Sequence, residues 1–156
     1  MKKIVATLIV LVSLTSVLAQ PKRIGTFRFQ KRSGAHMARV IIQTRAFDPS
    51  KHLKTYDQKS GNLIDGRVAY GAEGTPQAEI AFIRFYFDAK AMTVPKGLFA
   101  DCYDPNFDHG LLKLTFSHDR QRVLVTMWGA DGAGAYGVVW VLRRNGRHSR
   151  YFRDAF

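Results

Sequence analysis

Arg122-Val-Leu-Val-Thr-Met-Trp128, then Gly129-Ala-Asp-Gly-Ala-Gly134, then Tyr136-Gly-Val-Val-Trp-Val-Leu-Arg-Arg144, then Asn145-Gly146, then Arg147-His-Ser-Arg-Tyr-Phe152: this run decides the fold. Two β-branched and aromatic segments flank a glycine-rich loop, and a third follows a dipeptide that favours hairpin turns. Asn-Gly suits a type I′ turn, in which both central residues take positive φ. Just upstream, Leu111 to Phe116 reads as another strand, closed by the polar turn Ser117-His118-Asp119-Arg120. Three successive hairpins make an antiparallel meander.

Working toward the N-terminus, the same period continues. Between Arg39 and Phe47, Val40, Ile42, Thr44 and Ala46 fall on one face, while Arg39, Gln43 and Arg45 fall on the other with Ile41. Phe27 and Phe29 alternate with Thr26, Arg28 and Gln30. Ile80 to Phe87 is almost wholly apolar, with Phe85 and Phe87 expected in the core. No amphipathic helix is present. Asp48-Pro49 resembles a cap followed by a first-turn proline and predicts a short turn of helix within Pro49 to Gln58; Gln58 to Gly66 is expected to be a long loop, and Met92 to Asn106 an irregular connection with one short strand. The expected fold is all-β: an antiparallel sandwich or partly open barrel of about seven to nine strands.

The first nineteen residues stand apart from this pattern. Lys2 and Lys3 precede an apolar run from Ile4 to Leu18, and Val17-Leu18-Ala19 supplies small side chains before Gln20. This is the pattern of a secretory signal peptide, cleaved after Ala19. A membrane span needs about 20 apolar residues, and Thr7, Ser13, Thr15 and Ser16 interrupt this shorter run. The mature chain, Gln20 to Phe156, is then expected to be one exported domain, periplasmic or extracellular. Cys102 is its only cysteine. The expected reading is a buried thiol, with an intermolecular link as the alternative.

The chain carries a formal charge of +12, and removing Lys2 and Lys3 leaves 22 basic against 12 acidic residues, or +10. The excess is concentrated at the ends. Gln20 to Phe47 holds seven basic residues and no acid, and Arg143 to Phe156 holds five arginines and Asp154. Between them, Asp48 to Leu142 holds ten basic and eleven acidic residues. Terminal strands lying side by side would form one positive field, which attracts anionic partners or simply aids solubility.

Motifs for chemistry are few. His36, His52, His109, His118 and His148 show no metal-ligand spacing. Asp101, Asp104 and Asp108 lack the glycine and terminal Glu of a calcium loop, so a turn held by Asp and Asn side chains is expected there. Cys102 and His109 lack the third group that would orient a catalytic base. Tyr70-Gly-Ala-Glu-Gly74 echoes Trp128-Gly-Ala-Asp-Gly132, either as a duplicated hairpin or as two similar tight turns. In Arg147 to Arg153, arginines interleave with Tyr151 and Phe152. That mixture serves stacking and charge together on single-stranded nucleic acid or a glycan, or protects an edge strand from pairing.

The expected function is an exported, non-enzymatic binding module whose basic surface takes an anionic polymer, a lipid head group or an acidic protein. Its expected contacts are Lys31, Arg32, Arg143, Arg144, Arg147, Arg150 and Arg153. Two other classes fit the sequence: an envelope structural protein or protein inhibitor, and an exported hydrolase built around Asp101 to His109. No cofactor is expected.

Overall fold

The computed structural model describes residues 24–108, 110–130 and 134–153. The expected leader lies outside them, as do His109, Asp131 and Asp154. The described chain is all-β, with eleven strands in three antiparallel sheets. Among the described residues no helix is long and apolar enough to cross a membrane.

The first sheet takes β1 (Gly25–Ser33), β2 (His36–Ala46), β6 (Ala78–Phe87) and β7 (Lys90–Thr93), in that order. The second takes β8 (Leu112–Phe116), β9 (Arg122–Gly129), β10 (Tyr136–Arg143) and β11 (Ser149–Arg153), also in that order. This second sheet is the C-terminal meander. A small third sheet contains β3 (Lys54–Asp57), β4 (Gly61–Ile64) and β5 (Arg67–Val68).

The two larger sheets share one core. Val40 and Ile42 from β2 and Ile83, Phe85 and Phe87 from β6 lie in one cluster with Val123, Val125, Met127, Val138, Trp140 and Leu142. Each large apolar side chain so buried contributes about 1.5–3 kcal/mol. Phe87 meets Phe116 edge-on at 5.9 Å, joining β6 to β8. Cys102 is buried in this core as a free thiol.

The strand count exceeds the expected seven to nine because of the small third sheet: β3 forms where a turn of helix was expected, β4 lies in the stretch expected to be a loop, and β5 follows it. All four residues of β3 are exposed, so no alternation marks it. Asp57 Oδ1 accepts from the N–H groups of Lys59 and Ser60 and closes the turn into β4. Phe47, Ile64, Ala69, Ala72 and Tyr103 form a second, smaller core that seats this sheet. The helical turn expected within Pro49 to Gln58 is a 3-10 turn of three residues, Pro49–Lys51, capped by Asp48, and the same stretch continues into β3.

The Asn145-Gly146 bend also differs from expectation. Only Gly146 takes positive φ (81°) there, so the turn is not type I′. Instead His148 Nδ1 accepts the Arg143 N–H at 3.1 Å, where a tight hairpin would use a backbone carbonyl. The loop is longer and β11 starts at Ser149.

The echoed glycine turns are not a repeated hairpin, since Tyr70 forms a parallel bridge with Cys102 while Trp128 lies within β9. Both their glycines face one ring. A Cβ on Gly71 would come within 2.8 Å of Tyr136 Cε1, and one on Gly129 within 2.3 Å. The Tyr136 hydroxyl donates to the Tyr103 carbonyl at 3.0 Å. Glycine is needed on both sides because the buried ring fills the space a side chain would take.

Candidate functional site

Strand alternation and register assign each side chain of the meander to a face. Val123, Val125 and Met127 of β9 and Val138, Trp140 and Leu142 of β10 point into the core. Their neighbours therefore point out: Arg122, Leu124, Thr126 and Trp128 from β9, and Gly137, Val139, Val141 and Arg143 from β10. In register with them, β11 adds Ser149, Tyr151 and Arg153, and β8 adds Lys113 and Thr115. Lys113, Arg122, Arg143 and Arg153 thus share a face on which, among the described residues, no strand position holds a carboxylate.

This face is hollowed. One depression of 320 Å³ is bordered by Lys113, Thr126, Trp128, Tyr151 and Arg153. A second, of 430 Å³, is bordered by Arg122, Leu124, Arg143, Ser149 and Tyr151. Leu124 and Tyr151 border both, so the two form a continuous trough across the sheet. Trp128 supplies its flattest surface. Its register partner is Gly137, and three atoms of the six-membered ring lie 2.4–3.0 Å from where a Gly137 Cβ would be. The indole therefore lies across bare backbone. Tyr151 is 46% exposed.

Arg122 and Arg143 are directly opposed across β9 and β10. Like charges at such a pair cost stability, and a bound anion offsets that cost. The Arg143 guanidinium is fixed by donating to the Arg147 carbonyl at 2.8 Å and to Ser149 Oγ at 2.9 Å. Among the described residues, none of Lys113, Arg122, Arg143 and Arg153 forms an ion pair.

The seven expected contacts separate. Arg143 and Arg153 lie on the trough face, and Arg144 and Arg147 in the bend at its end. Arg150 points the other way. Its guanidinium grips both Asp101 oxygens and is mostly buried, so it anchors the 96–105 connection. Lys31 and Arg32 belong to β1, in the other sheet. The terminal segments therefore do not lie side by side, since β1 and β11 are in different sheets.

Lys113 and Arg122 were concealed in the near-neutral middle of the chain. Only the register of β8 and β9 shows that they share a face with Arg143. The outer face of the first sheet is also basic, with Arg28, Arg32, Arg39 and Arg84. Its aromatic rings are already covered, because Arg39 lies 4.2 Å over Tyr86 and Arg84 lies 5.5 Å over Phe82.

The Asp101 to Asp108 segment is built as a turn. Asp104 Oδ1 accepts from the N–H groups of Gln77 and Ala78, both at 2.9 Å, and Asn106 Oδ1 accepts from Asp108 N. Among the described residues no cluster of His, Cys, Asp and Glu is arranged to hold a metal ion. Burial pushes the Cys102 thiol well above its ordinary range, so it holds no thiolate near neutral pH. His52 lies between Asp65 Oδ2 at 2.7 Å and Glu79 Oε2 at 3.1 Å and stacks on Phe47. Both ring nitrogens are engaged, leaving neither to serve a nucleophile.

Comparison with protein-family models finds no match, and none is found among the curated proteins or the solved structures.

Proposed function

We propose that the protein is an exported binding module for an anionic polymer, which it holds on the outer face of β8–β11. The observation that carries this reading is the face bearing Lys113, Arg122, Arg143 and Arg153 around a trough, with no carboxylate at its described strand positions. Cations on a face whose described strand positions hold no carboxylate raise the local concentration of a polyanion and speed its encounter. The opposed Arg122 and Arg143 support the same reading, because their repulsion is relieved by a ligand of opposite sign. Export is supported by the leader-like pattern of residues 1–19.

The test is binding of the mature protein to polyphosphate over a series of salt concentrations. Affinity should fall linearly on a log–log scale, with a slope set by the number of charges neutralised. Lys113→Glu, Arg122→Glu and Arg153→Glu together should abolish binding while circular dichroism stays unchanged. Reversal of Arg28, Arg39 and Arg84 on the other sheet should have a smaller effect. Binding that ignores salt, or that depends on the other sheet instead, contradicts the proposal.

A further inference from the structure

We infer that the trough accommodates single-stranded nucleic acid, with bases against Trp128 and Tyr151 and phosphates against Lys113, Arg122, Arg143 and Arg153. This rests on the reading of the face as the anionic-polymer site. It adds what charge alone does not give, a reason for the rings and for the kind of polar group around them.

The first reason is geometric. The Trp128 indole lies across Gly137, so one side of the ring is packed on backbone and the other borders the trough. A ring held in this way is a platform for a flat partner, and base–aromatic stacking tolerates any sequence. Tyr151 lies two strands away, on β11, roughly 10 Å from the β9 axis. The two rings are placed to hold separate bases.

The second reason is the inventory of polar groups. The face offers the cationic donors Lys113, Arg122, Arg143 and Arg153 and the hydroxyls of Thr115, Thr126, Ser149 and Tyr151. Among the described residues, neither depression of the trough is bordered by a carboxylate or a side-chain amide. A glycan presents many hydroxyl donors that need such acceptors. A phosphodiester backbone presents acceptors only, which suits a surface of donors, and leaves the bases to stack.

The third reason is the contrast between the two sheets. On the β1–β2–β6–β7 face, Arg39 and Arg84 already cover Tyr86 and Phe82. In the second sheet and its bend, the arginines that lie over rings are Arg150 over Phe152, on the inner side, and Arg144 over Phe87 of the core. Among the described residues, no cation–ring contact covers Trp128 or Tyr151.

The experiment measures anisotropy of a fluorescein-labelled oligodeoxythymidylate of about 16 nucleotides, with polyphosphate and a sulfated polysaccharide as parallel ligands. The mature protein should bind the oligonucleotide more tightly than polyphosphate. Trp128→Ala should weaken oligonucleotide binding by about 5- to 100-fold and leave polyphosphate binding unchanged, and Trp128→Phe should recover most of the loss. Tyr151→Ala, at an exposed side chain, should act in the same direction and serves where Trp128→Ala loses its fold. Unchanged oligonucleotide affinity in the alanine variants overturns the inference, as does tighter, Trp128-dependent binding of the sulfated polysaccharide. In either case retained polyphosphate binding leaves the anionic-polymer reading standing, whereas no binding of any of the three ligands by the mature protein overturns both.

Discussion

His148 occupies the bend between β10 and β11. Its Nδ1 accepts the Arg143 N–H, while its Nε2 is buried without a hydrogen-bond partner. Desolvation lowers its pKa from the ordinary histidine value, and the nearby Arg143 charge adds to this. A folded value below the unfolded one means that the native state prefers the neutral ring. The associated stability is fully present above about pH 6.5 and is lost as pH falls through the lowered folded value. The melting temperature should therefore drop between pH 7 and pH 5. His148→Asn, which retains an acceptor for the Arg143 N–H, should flatten that slope, and an identical slope in both proteins contradicts the assignment. Nothing in Asn145-Gly146 announced this arrangement. The dipeptide marks the bend correctly, but the histidine that replaces the hairpin bond is three residues away from Asn145, and its role depends on where β11 begins.

At the scale of the element, β11 shows how much of the site was legible. Arg147 to Arg153 stands out in sequence as basic and aromatic, and it does border the trough. Period-two alternation then divides it: Tyr151 and Arg153 face outward, while Arg150 and Phe152 face inward. The sequence alone does not reveal which register applies, because both sets contain an arginine and an aromatic ring. Arg150 answers to Asp101, a pair remote in sequence. Replacing Arg150 with Met should cost about 3 kcal/mol or more, since Asp101 is then left buried and unpaired. Polyphosphate affinity should hold, and adding Asp101→Asn should recover part of the stability in urea denaturation. A loss of affinity at unchanged stability would place Arg150 in the interface instead. The strands of the meander were legible because their apolar residues alternate or run together. The third sheet was not, because β3 is exposed throughout and is fixed by turn chemistry rather than burial.

The whole molecule explains why both sheets have basic outer faces. Asp48, Asp57, Asp65, Asp88, Asp104 and Asp119 each accept backbone N–H groups in turns or bends. Hydrogen bonding holds Asp48, Asp57, Asp65, Asp88 and Asp119 below the usual carboxylate range. Glu79 and Asp101 are in ion pairs. Most of the described acids thus fix turns and bends or are held in ion pairs, and the outer strand faces carry mainly Lys and Arg. Charge counted along the chain records only the excess at the two termini. Charge counted across the folded sheets finds Lys113 and Arg122 beside Arg143 and Arg153. The most direct measurement is a heteronuclear NMR titration of residues 20–156 with polyphosphate, following each backbone amide. Shifts should concentrate at Lys113, Arg122, Thr126, Arg143, Tyr151 and Arg153, with the β1–β2–β6–β7 face little changed; shifts centred on Arg28, Arg39 and Arg84, or spread evenly over both sheets, would show that β8–β11 is not the binding face.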